Sequence, residues 1–499
     1  MPTPNHELPH ALYNAAQVRS LDQQLIAGGI PGIELMSRAA NAIWQALVQH
    51  WPQERSLCVM AGHGNNAGDG YLVAAVARRA GWHVEVLAVS EPGRLQGDAA
   101  TAYAEAQAAG VMVSPWQADV PLQGIVLDAL LGTGLAGEVR APYTAAIEAI
   151  NNSGQPVLAV DIPSGLSSDT GEILGCAVKA DLTVTLIGLK FGLFTGQAAD
   201  VVGTLVFDDL LADPALVGLV DSVAERLGPG HMPSLAPRPP TSHKGQYGRV
   251  LVIGGDHGTG GAALLASESS LRCGAGMVSL ATRAEHAAPA LTRLPEVMVA
   301  AIHSANQLMS MLEAAAVLVV GPGMGQQSWG RSLLSAAANC AKPQVWDADA
   351  LNLLASGYVA LPEGCVITPH PGEAARLLGI STAEVQADRA SAAHRLAQQY
   401  RAVVVLKGSG SLIAAPDGRL ALCDRGHPAM ATGGLGDVLS GVVGALLAQH
   451  LAPYEAACLA VWLHAAAGQE AGAGGRGLAA SDLIPIIRRL LEECSPCLN

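Results

Sequence analysis

SLCVMAGHGNNAGDGYLVAAVARRAG, residues 56–81, contains one full strand–turn–helix step of the fold. Residues 56–61 form an apolar run without polar alternation, the pattern of a strand covered on both faces. Residues 71–81 read as a helix, and a glycine-rich stretch joins the two. Its Gly62-x-Gly64-x-x-Ala67 spacing suits a turn whose small residues let the backbone approach an anion at a helix N-terminus. A tight turn capped by Asn and Asp is the plainer alternative. The acid that an ordinary dinucleotide site carries at the end of the next strand is missing, because Ser90 stands there.

The same alternation of apolar run and helix continues outward. HVEVLAVS (83–90), GIVLDALLG (124–132), PVLAVDIPSG (156–165) and LTVTLIG (182–188) read as further buried strands in the first half. RVLVIGG (249–255), MVSLAT (277–282), VLVVGPG (317–323), QVWDAD (344–349), CVITPH (365–370) and AVVVLKGSG (402–410) do so in the second. Strands of this kind predict parallel sheets with helical layers, an α/β architecture. Ser381 and Glu384 form a capping box for a helix ending near Tyr400, and the chain from Asp437 onward reads as mostly helical.

Composition narrows the functional classes. The 499 residues carry 28 Lys+Arg against 42 Asp+Glu, a net charge of −14, which argues against nucleic acid as a partner. Aromatic residues make up 4%, too few for base-stacking platforms. Hydrophobic residues make up 50% and charged ones 14%, so a large core is expected and disorder is not. Nine scattered cysteines, an odd number, argue against a disulfide framework. MPTPNHELPH at the start lacks the basic and apolar segments of a secretory signal. The apolar run 438–454 contains Gly, Gln, His and Pro and reads as buried helix, not a membrane span. A cytoplasmic protein without membrane contact is expected. Composition gives no oligomeric state, and a homo-oligomer, up to a tetramer, is the working expectation. Prolines 229, 233, 237, 239 and 240 make 228–242 an extended linker or wrapping arm, which sets domains at 1–222 and 223–499. The alternative is a proline-rich surface loop within one domain.

Two more strand ends in the first half carry polar groups. One is Asp128, followed by Gly132-Thr133-Gly134-Leu135-Ala136-Gly137-Glu138; the other is Asp161, followed by Pro163, Ser164 and Gly165. Open α/β sheets bind ligands at such carboxyl ends. Oxygen donors without thiol or imidazole suit Mg, Ca or an alkali ion better than zinc. A buried Asp satisfied by backbone amides is the alternative for either position.

GNNAGDG, LDALLGTGLAGEVRAPY, AVDIPSGLSSDTG and GLKFGLFTG, in that order over roughly residues 11 to 210, resemble the NAD(P)H-hydrate epimerase family. The resemblance implies a Rossmann-like three-layer fold and a potassium ion held by Asn66, Asp128 and Ser164. It implies substrate contacts at Asn65, Asn66, Ala67, Gly68 and Asp69, at Gly132, Thr133, Gly134, Leu135, Ala136, Gly137 and Glu138, and at Tyr143 and Asp161. Asp161 is the best-placed general acid/base. Ala67 stands where the family commonly has Gly, and Lys190 is left unassigned.

In the second half, Gly254-Gly255-Asp256-His257-Gly258-Thr259-Gly260-Gly261 joins a strand to a helix starting near Ala262, and Gly321-Pro322-Gly323-Met324-Gly325 ends another strand. Lys407-Gly408-Ser409-Gly410-Ser411 offers a cation and amide and hydroxyl donors to an anion. No Gly-Lys dipeptide occurs, so there is no Walker A loop. Ala431-Thr432-Gly433-Gly434-Leu435-Gly436-Asp437 opens a helix with exposed amides and an adjacent carboxylate. That pairing can stabilise a transferring phosphoryl group while Asp437 accepts a hydroxyl proton; a plain helix cap is the alternative.

HKGQYGRVLVIGG, GPGMG, DADALN, TPHPGE, LKGSG and GGLGD, from about 243 to 490, resemble the ADP/ATP-dependent NAD(P)H-hydrate dehydratase family. The resemblance implies a ribokinase-like three-layer fold, substrate contacts at Ala262, Gly325, His370 and Asp437, and nucleotide contacts at Lys407, Gly408, Ser409, Gly410, Ser411 and Gly436. His370 reads otherwise as a structural loop residue, and Asp347 and Asp349 as positional ones. Two decoys are set aside. His6-Glu7-Leu8-Pro9-His10 spells HExxH, but Pro9 prevents the helix the motif needs. Cys494-x-x-Cys497 lacks a βα unit or a second pair.

Together the resemblances imply repair of the hydrated cofactors NADHX and NADPHX: epimerisation of the R and S forms, then dehydration of the S form with ADP (or ATP) and Mg²⁺. With ADP as donor the products are NAD(P)H, AMP and phosphate. The alternative is a small-molecule kinase with a non-catalytic, nucleotide-sensing first half.

Overall fold

The computed structural model describes residues 8–498, so the His6-Glu7 part of the HExxH letters and most of the expected signal-free start lie outside the described residues. The chain divides into two compact units, Met1–Glu225 and Arg226–Asn499.

In the first unit seven strands form one parallel sheet. Its order is Met112–Pro115, His83–Ala88, Ser56–Ala61, Ile125–Ala129, Val157–Val160, Leu182–Leu186, Thr204–Asp208. Chain direction across the sheet reverses between Ser56–Ala61 and Ile125–Ala129, and that switch opens a crevice at their carboxyl ends. Successive strand residues serve opposite faces. Val59 and Ala61 pack with Leu35, Ala67, Tyr71 and Ala99 of the helices Gly32–His50, Asn65–Arg79 and Gly97–Ala108. Cys58 and Met60 pack with Ala146, Ile147 and Ile150 of the helix Tyr143–Asn152. The sheet is therefore sandwiched, as its unalternating apolar strands require.

A small ladder lies beside it. Ala11–Tyr13 pairs in parallel with Leu189–Lys190, and antiparallel with Ala224 and Glu225. That pairing sets Tyr13 opposite Lys190 and brings in the next helix, Ala15–Ala27, which starts on an Asn14–Gln17 capping box.

In the second unit the parallel order is Met298–Ala301, Met277–Thr282, Arg249–Ile253, Val317–Val320, Gln344–Trp346, Val366–Ile367, Val403–Leu406. The sheet does not stay parallel: Ser411–Ala414 and Leu420–Cys423 continue it as an antiparallel hairpin. The helices Gly260–Arg272, Leu435–Ala448, Pro453–Gly472 and Ala480–Cys494 cover one face. Ala305–Ala314, Ser328–Ala338 and Arg389–Tyr400 lie against the other.

Three local readings change. The helix expected to begin at residue 71 starts at Asn65, with Gly64 as its N-cap and no side-chain cap. The Ser381–Glu384 capping box exists, but its helix ends at Ala387 and a second, Arg389–Tyr400, starts from an Asp388 cap. Gly62 is small for packing rather than for a ligand: a Cβ there would sit 1.9 Å from the Leu130 carbonyl oxygen, whereas one on Gly64 would meet nothing within 4 Å. Residues 228–242 contain no helix or strand and run as a wrapping arm on the second unit. Leu235 N–H donates to Ser495 Oγ at 2.9 Å and Arg238 N–H to the Cys497 carbonyl at 2.8 Å. Among the described residues no helix is long and apolar enough to cross a membrane.

Candidate active sites and the relatives of the chain

A cleft of about 490 Å³ opens at the switch point of the first sheet. Of the expected contacts, Asn65, Asn66, Asp69, Gly132, Thr133, Gly134, Leu135, Ala136 and Asp161 line it. Ala67 and Gly68 turn into the core instead; a Cβ on Gly68 would lie 2.7 Å from Met36 Sδ. Gly137 and Glu138 are exposed and do not line the cleft. Tyr143 is not in the lining, but its hydroxyl shares 2.7 Å hydrogen bonds with Ser90 Oγ and with Nδ1 of His63, which does line the cleft. The Ser90 that stands in place of the dinucleotide acid thus anchors Tyr143.

Asn66, Asp128 and Ser164 come together around the backbone of Leu131. Ser164 donates to Asp128 through its backbone N–H at 2.8 Å and its hydroxyl at 2.6 Å. Leu131 N–H donates to Ser164 Oγ at 2.8 Å, and Asn66 Nδ2 to the Leu131 carbonyl at 3.3 Å. Asp128 is fully buried, and burial pushes its carboxyl up to about 6 against the lowering effect of the Ser164 bonds. A buried carboxylate amid neutral oxygens is a donor set that fits one hard monovalent cation. Among the described residues no three His, Cys, Asp or Glu side chains gather as a metal cage.

Asp161 follows Val157–Val160 with a left-handed φ of 67°, an angle that Asp tolerates better than most residues. Its Oδ1 accepts from Lys190 Nζ, from Leu186 N–H at 3.1 Å and from the Thr185 hydroxyl at 3.3 Å. Lys190, unassigned from sequence, is fully buried and serves this carboxylate. Asp22 also lines the cleft and had no sequence signal, because it arrives only through the pairing of Ala11–Tyr13 with Leu189–Lys190.

In the second unit the helix Leu435–Ala448 begins from Gly434 in a left-handed conformation, φ 89°. Gly436 and Asp437 occupy its first turn, and Lys407 approaches closely enough that a Cβ on Gly436 would lie 3.1 Å from Nζ. Lys407 donates to Asp347 at 2.8 Å and lies 4.0 Å from Glu373. Burial would lower the lysine, yet Asp347, Glu373 and Asp437 hold it above its ordinary value. Burial, then Asp347, Asp349 and Glu373, push Asp437 up to about 7 against the pull of Lys407. His464 Nε2 lies 3.0 Å from the Leu435 carbonyl, and burial drives this imidazole down to about 4, so it donates there as a neutral ring.

Gly325 and Ala262 sit near this end by different routes. Gly325 N–H donates to Asp349 at 2.9 Å, and Ala262 occupies the first turn of Gly260–Arg272. His370 caps the helix Pro371–Leu378, its Nδ1 accepting from Gly372 N–H at 3.0 Å, so it has the structural role as well. In the turn Lys407-Gly408-Ser409-Gly410-Ser411, the Ser411 hydroxyl bonds the Gly408 carbonyl at 3.0 Å. Buried Arg389, absent from the sequence reading, donates to the carbonyls of Leu406, Lys407 and Gly410 at 3.2–3.4 Å. Of the two acids read as positional, Asp347 accepts from Lys407 and Asp349 from Gly325 N–H. All nine cysteines, including Cys494 and Cys497, are free thiols.

The chain matches the family described as NAD(P)H-hydrate dehydratase over residues 250–489 and the one described as YjeF-related protein N-terminus over 32–192. It is 45% identical to the bifunctional NAD(P)H-hydrate repair enzyme Nnr of Escherichia coli K12, over 97% of this chain and 95% of that protein. The Coxiella burnetii enzyme of the same name is 44% identical over 96% and 99%. A solved structure, the ADP/ATP-dependent NAD(P)H-hydrate dehydratase of Bacillus subtilis co-crystallised with ATP/Mg²⁺, is 30% identical. It covers 52% of this chain and 95% of that one, with a TM-score of 0.47. On the strength of its end-to-end relatives, the chain belongs to the family of bifunctional NAD(P)H-hydrate repair enzymes.

Proposed function

We propose that the first domain, residues 1–222, interconverts the R and S epimers of NADHX and NADPHX, and that the second, residues 223–499, dehydrates the S epimer at the expense of ADP or ATP. The observation that carries this reading is Asp437, a carboxyl poised near neutrality at a glycine-lined helix end beside Lys407. Such a group can take the proton of the substrate hydroxyl while the amides of the helix end receive the transferring phosphoryl group. Loss of phosphate from that carbon together with a proton from the adjacent ring carbon then restores the ring double bond. Gly436 and the turn Lys407–Ser411 hold the nucleotide; Ala262, Gly325 and His370 hold the hydrated ring beside Asp437. Mg²⁺ arrives with the nucleotide, its ligands mostly phosphate and water. ADP is the donor we choose. A homo-oligomer, up to a tetramer, in the cytoplasm completes the reading, and nine unpaired thiols suit a reducing compartment.

In the first unit Asp161 is the acid/base, and the substrate lies along Asn65, Asn66, Asp69 and residues 132–136, with Tyr143 behind His63. Asn66, Asp128 and Ser164 hold potassium, which when bound offsets repulsion between Asp128 and the substrate diphosphate. Asp128→Ala should raise the epimerase KM about tenfold or more with the far-ultraviolet dichroism unchanged. Crystals exchanged from potassium into rubidium or thallium should show an anomalous peak among the three side chains; a tetrahedral zinc or no peak overturns the assignment.

The whole reading is tested by mixing the purified chain with both NADHX epimers, Mg²⁺ and ADP or ATP, and following NADH absorbance. Free phosphate and full conversion are expected. A stable phosphomonoester would mark a small-molecule kinase instead.

A further inference from the structure

The N-terminal cleft contains four carboxyl groups, Asp22, Asp69, Asp98 and Asp161, and one ammonium, and the ammonium is fully committed. Lys190 has three N–H donors. They go to Asp161 Oδ1, to Thr185 Oγ1 at 3.2 Å and to the Leu186 carbonyl at 2.7 Å. Asp161 is consequently surrounded by donors, all of them on Oδ1.

Asp69 lines the same cleft from the helix Asn65–Arg79 and, among the described residues, no hydrogen bond or ion pair reaches its carboxyl. The titratable groups that share the cleft with it are Arg19, Asp22, His63, Asp98, Asp161 and Lys190. Carboxyls that share one cleft do not all ionise cheaply, and the one without donors keeps its proton most readily. Burial pushes Asp69 well above the usual carboxylate range, Asp161 and Asp22 add to this, and Lys190 opposes it. Asp22 is raised by burial and by Asp161, again against Lys190.

We infer that Asp69 is the proton donor of the epimerisation and Asp161 its complementary base, an inference that rests on the epimerase reading of this cleft. A dihydronicotinamide ring is an enamine, so added water leaves the hydroxyl on the carbon bonded to the ring nitrogen. Asp69 gives its proton to that hydroxyl oxygen. The C–O bond breaks as the nitrogen lone pair forms C=N⁺, and water departs. A water then adds to the other face of the same carbon, its oxygen forming the new C–O bond while the C=N⁺ pair returns to nitrogen. Asp161 takes the proton released by that water, and Oδ2 is the oxygen left open for it. One proton leaves Asp69 and one reaches Asp161, and proton exchange with solvent restores both before the next turnover in the same direction.

The test uses the full chain, mixed NADHX epimers, Mg²⁺ and ADP, with the enzyme-free epimerisation rate subtracted. The S epimer gives a fast phase and the R epimer a slow one limited by interconversion. Asp69→Asn should slow the slow phase about 10²–10⁴-fold and leave the fast phase unchanged. In the wild type the slow-phase rate should fall as pH rises through the Asp69 titration. Asp22→Asn removes a like charge and should move that alkaline limb to lower pH, a shift that a merely structural role for Asp69 would not produce. A slow phase within threefold of wild type in Asp69→Asn overturns the assignment, as does an alkaline limb that Asp22→Asn leaves in place. A wild-type chain with no enzymatic slow phase would instead overturn the epimerase reading itself.

Discussion

In the first unit the fifth strand of the parallel sheet in chain order, Val157–Val160, ends on Asp161, which Lys190 holds; in the second the fifth, Gln344–Trp346, ends on Asp347, which Lys407 holds. Each pair stands near another carboxyl on a helix that follows a glycine-rich turn, Asp69 in one case and Asp437 in the other. The difference lies in how completely the lysine is used. Lys190 is fully buried with acceptors for every donor, whereas Lys407 keeps part of its surface and has one carboxylate at 2.8 Å and another at 4.0 Å. Asp437 feels the Lys407 charge and comes to rest at about 7, the range of a base at neutral pH. Asp69 is pushed well above the usual range, where a carboxyl remains an acid. Similar parts placed at similar strand ends can thus serve opposite proton-transfer roles.

The sharpest way to break this comparison is a pair of substitutions. Asp437→Asn should lower nucleotide-dependent NADH formation about 10²–10⁴-fold and leave epimer interconversion intact. Asp161→Asn should do the reverse, so that mixed substrate stops early at the fraction initially in the S form. If Asp437→Asn stays within threefold of wild type, Asp437 leaves the mechanism and the parallel with it.

A smaller effect comes from pH. A base works when deprotonated, so below about 7 the Asp437 carboxyl holds a proton and the dehydration rate should fall about tenfold per pH unit. Above that point the rate should level. Measurement of kcat/KM on pure S epimer between pH 5.5 and 8.5 checks the sign; a rate that rises on acidification would make Asp437 an acid.

The smallest effect separates two glycines of one turn. Gly62→Ala places a methyl 1.9 Å from the Leu130 carbonyl oxygen and should cost ~1–3 kcal/mol of stability. Gly64→Ala meets nothing within 4 Å and should stay within about 0.5 kcal/mol. Equal thermal midpoints for the two variants would return Gly62 to the ligand-facing role that its spacing suggested.

What the sequence determined by itself was local or patterned. Unalternating apolar runs such as residues 56–61 and 249–253 mark strands covered on both faces, because period and composition report burial directly. The same runs placed Asp128, Asp161 and the GGLGD turn at strand or helix ends, where ligands bind in sheets of this type. The tertiary structure alone decided which charges meet. Asp22 reaches the cleft through a two-residue ladder, Lys190 finds Asp161 across 29 positions, and Lys407 finds Asp347 across 60. It also turned Ala67 and Gly68 into the core and ended the parallel sheet with the Ser411–Ala414 and Leu420–Cys423 hairpin. Periodicity records how each residue meets its own element, but a proton's affinity depends on desolvation and on charges brought near from distant parts of the chain, and these exist only once the sheet has assembled.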